Sequence, residues 1–89
     1  MKYVVEYTKN FNKLFKKLDK YTQKIIRAWI NTNLVYCENP RAHGIPLKAD
    51  KSGKWRYRIG DYRLICSIND NKLVVLALKI GHRRNVYDS

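Results

Sequence analysis

A chain of 89 residues buries only about 60 to 65% of its unfolded surface on folding, which leaves room for one hydrophobic core and excludes a second domain. Its 45% hydrophobic and 12% aromatic content, with four Gly and two Pro, excludes a disordered chain. The balance of 19 Lys and Arg against 7 Asp and Glu, a formal net charge of +12, opposes compaction and points to a polyanionic partner, nucleic acid first, because each cation placed on a phosphate releases condensed counterions.

No apolar run approaches the ~18 to 20 residues of a membrane helix, and the first residues meet Glu6 before a signal-peptide core can form, so a cytoplasmic location with no membrane partner is expected. Cys37 and Cys66 lie far apart, without a CxxC pair or a His at finger spacing. They read as reduced, partly buried thiols rather than a disulfide or zinc site.

In chain order, Tyr3 to Tyr7 is short, rich in β-formers and predicts a strand. Phe11, Leu14, Phe15 and Leu18 recur at i, i+3, i+4, i+7 and predict one face of a helix, with Lys13, Lys16 and Lys17 toward solvent. Asp19 breaks the pattern, and a second helix begins at Thr22 or, equally, at Asp19 or Lys20, with Ile25, Ile26, Trp29, Ile30 and Leu34 as its buried stripe. Residues 38 to 53 hold both prolines and two of the four glycines without a sustained period and predict a long loop, a length that is uncommon unless functional. After it the period becomes two: Trp55, Tyr57 and Ile59 alternate with Lys54, Arg56 and Arg58, an apolar row on one face and a cationic row on the other. Gly60-Asp61 turns the chain, Tyr62 to Ile68 forms the next strand, Asn69-Asp70-Asn71 turns again, and Leu73 to Ile80 is an interior strand ended by Gly81. The expected class is α+β, ordered β-α-α-β-β-β, with a helical hairpin packed on one face of a four-stranded, mainly antiparallel sheet.

Lys48, Lys54, Arg56, Arg58, Arg63, Arg83 and Arg84 fall in or beside the last three strands, whose acids, Asp50, Asp61 and Asp70, all sit in loops or turns. With helices on the apolar face, the second face is open to a phosphate backbone. Trp55, Tyr57 and Tyr62 are placed by periodicity in the core, whereas Tyr87 sits in a polar tail where it can stack on a base. His43, alone in the loop, reads as inert, and the cations from Lys9 to Arg27 read as a solvated helical face or as contacts to RNA. Carboxylates this scattered do not build a metal site. A metal-free route to RNA cleavage fits the residues better: a base takes the 2′-hydroxyl proton, the oxygen attacks the adjacent phosphorus, cations stabilise the developing charge, and an acid protonates the leaving 5′ oxygen. Guanidinium holds its proton at ordinary pH, so His82 and Lys54 are the candidates for the base.

The stretches Pro46-Leu47-Lys48, SGKWRYRIGDYRLICSIND and LVVLALKIGHRRNVYD resemble the RelE/ParE toxin superfamily, and within it the RelE-type endoribonucleases more than the gyrase-directed ParE toxins. The resemblance covers nearly the whole chain. It implies a bacterial toxin of a type II toxin-antitoxin pair that enters the ribosomal A site, cuts mRNA there without metal or cofactor, and is silenced by an acidic, RelB-like antitoxin wrapped over it in a hetero-oligomer. It further implies catalytic roles for Arg56, Arg58, Arg63, Arg83 and Tyr87 and a role in RNA binding for Lys48; on the chemistry of the residues themselves His82 joins the catalytic set, and Lys54 and Arg84 join the RNA-binding set. In this comparison Arg56 and Arg58 match paired basic residues, Arg63 a phosphate-binding Arg, Arg83 a catalytic Arg, and Tyr87 a base-stacking Tyr. RelE itself carries lysines where Arg56 and Arg58 stand, and a proton-accepting role cannot pass from lysine to arginine. His82 then becomes the first choice of base and Lys54 the second. Two other readings are a ParE-like gyrase inhibitor and a non-catalytic RNA-binding module.

Overall fold

A computed structural model describes residues 1–47 and 53–83. Lys48, Arg84 and Tyr87 lie outside the described residues. The elements run β1 (Val4–Tyr7), α1 (Lys9–Lys16), α2 (Lys20–Asn33), a 3₁₀ turn (Pro40–Ala42), β2 (Ile45–Pro46), β3 (Lys54–Ile59), β4 (Tyr62–Asn69) and β5 (Val74–His82). The strands form one mixed sheet in the order β1-β5-β4-β3-β2, antiparallel except where β1 lies parallel to β5. The α+β class with two helices on a sheet is as expected.

Each helix starts where a side chain can satisfy an orphan backbone N–H. Thr8 Oγ1 accepts from the Phe11 amide at 3.0 Å, and Asp19 accepts from the Thr22 amide at 3.4 Å and from its hydroxyl. Asp19 is thus the cap of α2, and the Thr22 hydrogen bonds hold its carboxyl below the usual range. Gln23 closes the other side of the bend by donating to the carbonyls of Phe15 at 3.0 Å and Leu18 at 2.9 Å.

The core lies between helices and sheet: Phe11 and Phe15 from α1, Ile26, Ile30 and Leu34 from α2 and its end, and Tyr57, Ile59, Leu64, Cys66, Ile68, Val75, Ala77 and Ile80 from the strands. Trp29 is half-buried, but Ile25 is 43% exposed. The expected stripe is therefore one residue too wide, because Ile25 lies just beyond the arc that Ile26 and Ile30 turn inward.

The sheet has five strands rather than four. Ile45 and Pro46, inside the expected loop, pair with Arg56 and Trp55. Two residues are too few to carry a period-two signal, and Pro46, lacking an N–H, is tolerated because β2 is an edge strand. Nor does Gly81 end the last strand: it pairs with Arg63, and β5 continues to His82 opposite Tyr62.

One irregularity in this sheet decides where the site residues point. Ile65 pairs with Lys79 and Cys66 with Ala77, so Leu78 is an extra residue, a β-bulge. Its carbonyl accepts instead from Thr8 Oγ1 at 3.2 Å and Asn10 Nδ2 at 3.0 Å, which ties the start of α1 to the bulge.

Far from that point, Asp70 in the β4–β5 turn accepts a two-pronged Arg41 contact at 3.0 and 3.1 Å and the Tyr3 hydroxyl at 2.6 Å. These bonds hold the Asp70 carboxyl below its usual value, Arg41 contributing most. A carboxyl depressed in the folded state stabilises the fold above the ordinary Asp range, and that contribution disappears as pH falls through the folded value. Wild type should therefore melt above Asp70→Asn at pH 7, with the gap closing in acid. Asp70 is 56% exposed, so the gap should be small. Thermal melts of both proteins from pH 7 down to pH 2 check this, and a gap that persists at the acid end would refute it.

Candidate nucleic-acid interface

Residues paired across neighbouring strands share a face, and faces alternate along each strand. Tyr57, Ile59, Leu64 and Cys66 face the helices. Lys54, Arg56 and Arg58 of β3 and Arg63, Ile65 and Ser67 of β4 consequently occupy the other face, in register as Lys54 with Ser67, Arg56 with Ile65 and Arg58 with Arg63. On β5 the same rows continue with Leu76, Lys79 and Gly81. The floor of this face is Ile65, 3% exposed, flanked by Arg56 and Lys79.

The cations converge at one end. Burial lowers the proton affinity of the Arg63 guanidinium, and the charges of Arg58, Arg56 and Arg83 lower it further, while Asp61 acts in the opposite direction. Arg63 donates to the Tyr62 carbonyl at 3.3 Å, and the Arg83 amide donates to the Asp61 carbonyl at 2.8 Å, which fixes the chain as it leaves β5. Gly44, Ile45, Arg56, Arg58 and Arg63 line a shallow cleft of about 220 Å³. Three guanidiniums around one cleft, with the charge of Arg83 also acting on Arg63, repel one another unless a polyanion lies among them. The arrangement can hold phosphates and stabilise charge that develops on one.

The cleft's wall depends on Gly44, whose φ is +77°. A Cβ there would overlap the Arg56 carbonyl oxygen and lie 2.8 Å from both Trp55 Nε1 and Tyr57 Cδ1. The close approach lets Trp55 Nε1 donate to the His43 carbonyl at 2.6 Å and, next to it, the buried Tyr57 hydroxyl donate to the Pro40 carbonyl at 2.6 Å. Gly44→Ala combines left-handed strain with overpacking and should destabilise by about 2 to 4 kcal/mol in urea denaturation. A change below about 0.5 kcal/mol would show that the segment simply shifts aside.

Of the residues expected in the site, Arg56, Arg58, Arg63 and Arg83 are brought together, and Lys54 lies on the same face farther along β3. His82 is not gathered with them. It pairs with Tyr62, its ring meets the Tyr62 ring edge-on with centroids 5.6 Å apart, and both line the opposite side of the sheet with Leu14 and Leu18 of α1. Rather than standing in a tail beyond the sheet, it is the last residue of β5, turned to the helix side. Lys79 and Ile45 belong to the cationic face and were not expected there. The sequence signal for Lys79 was a single charge within an otherwise apolar strand; for Ile45 there was none. Arg41, by contrast, is engaged by Asp70 and lies over the Trp55 ring at 5.8 Å.

Burial raises the pKa of the Tyr57 hydroxyl and the Cys66 thiol, which makes both poor proton donors or nucleophiles. Among the described residues, no three His, Cys, Asp or Glu side chains are grouped to hold a metal, and no helix is long and apolar enough to cross a membrane.

Comparison with known proteins bears on the family and the fold. Residues 5–87 match the family model described as the ParE toxin of type II toxin-antitoxin systems. Toxin RelG of Mycobacterium tuberculosis is 35% identical over 48 residues, 54% of this chain and 55% of that protein, so the match spans about half the length of each. A chain of the crystal structure of a RelBE toxin-antitoxin complex from M. tuberculosis superposes with a TM-score of 0.82 at 26% identity, over 96% of this chain and 95% of that one. A chain of the archaeal RelE-RelB complex from Pyrococcus horikoshii does so with a TM-score of 0.74 at 29% identity, over 97% and 100%.

Proposed function

Because the chain belongs to the family of ParE toxins of type II toxin-antitoxin systems, within the RelE/ParE superfamily, we propose that its activity is metal-independent endoribonucleolytic cleavage of mRNA in the ribosomal A site. The observation that carries this reading is the gathering of Arg56, Arg58, Arg63 and Arg83 at one end of an open sheet face. In the reaction, these guanidiniums hold the scissile phosphate and stabilise the charge that builds on its oxygens as the 2′-oxygen attacks phosphorus and the bond to the 5′ oxygen breaks, leaving a 2′,3′-cyclic phosphate and a 5′ oxygen that takes its proton from solvent. Lys54 accepts the 2′-hydroxyl proton in place of His82, since it shares the arginines' face and ammonium, unlike guanidinium, can give up a proton. Tyr87 stacks on the substrate base, and Lys48 and Arg84 bind RNA. The ribosome supplies what a nuclease with no grouped carboxylates among its described residues needs, a template that holds the mRNA bent for in-line attack.

The same reading includes an acidic, RelB-like antitoxin that forms a hetero-oligomer with the chain. It is supported by the similarity to chains solved within RelBE complexes and by the +12 charge, which favours an anionic segment that folds as it covers the cationic face.

The family model is described by the ParE toxin, which favours a second reading, a ParE-like toxin, and the resemblance to that branch of the superfamily would make gyrase its target. Mapping RNA 5′ ends after brief expression separates the two. Cleavage in the A site creates new mRNA ends at one position of the reading frame; unchanged mRNA ends together with gyrase-linked DNA breaks would replace the first reading by the second.

A further inference from the structure

From Val74 to Ile80, β5 is apolar except at one place, Lys79. The residue is half-buried, which is uncommon for a lysine, and among the described residues it has neither an ion pair nor a hydrogen bond. The bulge at Leu78 turns it to the open face, where it pairs with Ile65, whose side chain points away from the helices.

The cations around Ile65 are divided unequally between its two sides. On the β3 side Arg56 stands directly opposite Ile65, with Lys54 and Arg58 on the two diagonals, about 7 to 8 Å away. On the β5 side, among the described residues, Lys79 is the one charged side chain, about 5 Å from Ile65 across the ladder. The residues in the flanking rows of β5 are Leu76, opposite Ser67, and Gly81, opposite Arg63, and neither side chain has a proton to give. β1 pairs with β5 only as far as Ala77, so Lys79 stands past the end of β1, at the margin of the sheet.

This division matters because attack by the 2′ oxygen is in line: the attacking and leaving oxygens lie on opposite sides of phosphorus. A phosphate seated over Ile65 and held by Arg56, Arg58 and Arg63, with its 2′ oxygen toward Lys54, directs its 5′ oxygen across the sheet to β5. We propose that Lys79 is the general acid of the cleavage, the group through which a solvent proton reaches the leaving 5′ oxygen. The inference rests on the proposed endoribonuclease activity. As the bond between phosphorus and the 5′ oxygen breaks, its electron pair goes to that oxygen, which takes a proton from the Lys79 ammonium, and the neutral amine then takes a proton from water. Arg83, whose charge acts on Arg63, stabilises the transition state but cannot fill this role, because guanidinium holds its proton. Base and acid are then two lysines on opposite sides of one apolar floor.

The test replaces the 5′ oxygen of the scissile linkage by sulfur. A thiolate leaves without first being protonated, so loss of a general acid slows cleavage of the oxygen linkage and spares the sulfur one. In single-turnover reactions on programmed ribosomes, Lys79→Ala should cut the natural mRNA about 10² to 10⁴ more slowly than wild type and the 5′-thio mRNA within about threefold of it. Lys79→Met keeps the length of the side chain and drops its charge; it should show the same pattern with a wild-type melting temperature. Lys79→Arg keeps the charge without a removable proton, so it should be as slow as the alanine variant on oxygen and be restored by sulfur. Lys54→Ala should be slow on both substrates. Equal losses on oxygen and sulfur would make Lys79 a phosphate contact and overturn the proposal, as would wild-type rates on both. A wild-type chain that cuts neither mRNA would instead remove the endoribonuclease reading, and this role with it.

Discussion

Arg63→Ala should reduce single-turnover cleavage of A-site mRNA by about 10² to 10³, the usual effect of removing one preorganised group that stabilises transition-state charge. Arg63 is the residue around which the others are arranged: Arg58 is its partner across β3–β4, and the charges of Arg58, Arg56 and Arg83 all act on it. Arg63→Lys should restore only part of the rate, because a point charge cannot reproduce the planar fork that binds two phosphate oxygens at once. The alanine variant should also flatten the salt dependence of ribosome binding by about one unit of slope. Its melting temperature should hold or rise, since a charge among like charges has been removed. Loss of cleavage together with a large fall in melting temperature would identify Arg63 as a folding residue, and wild-type cleavage would remove it from the site.

Lys54→Ala should lower the same rate by about 10² to 10⁴ if Lys54 is the proton acceptor, whereas His82→Ala should lower it by less than about tenfold. The difference follows from the sheet. Lys54 alternates in phase with Arg56 and Arg58, while His82 lies against Tyr62 on the helix side. Lys54→Arg keeps the charge and loses the removable proton, so it should remain as impaired as the alanine variant. Rates measured across pH 6 to 8 decide the matter. A His82→Ala enzyme that loses activity by 10² or more while keeping its melting temperature would return the role to the histidine.

Most of the architecture was legible in the sequence because hydrophobic period is a local property. The i, i+3, i+4, i+7 spacing of Phe11, Leu14, Phe15 and Leu18 marks α1, and the strict alternation from Lys54 to Ile59 sorts β3 into a core row and a cationic row. Alternation also identified Arg56 and Arg58 as sharing a face, and the tight turn at Gly60-Asp61 brought Arg63 beside Arg58. The +12 charge and the scarcity of acids in the meander pointed to a polyanion without any knowledge of the fold.

Tertiary structure alone decided which way β5 points after Leu78. Continued from Val75 and Ala77 by strict alternation, position 82 would fall on the open face with the arginines. The extra residue at Leu78 reverses that phase, sending Ile80 and His82 to the helix side and Lys79 to the cationic face. The one local signal is Lys79, which strict alternation from Val75 and Ala77 would bury; the apolar residues around it, Ala77, Leu78 and Ile80, fit either face. What stabilises it is distant in the chain: the Leu78 carbonyl, released from the ladder, is bonded by Thr8 and Asn10 at the start of α1, 70 and 68 residues away. Likewise, β2 exists only because Gly44 allows Ile45 to lie beside Arg56. Composition and period thus determined the elements and the chemistry of the open face, while hydrogen bonds between segments far apart in sequence selected the side chains that share it.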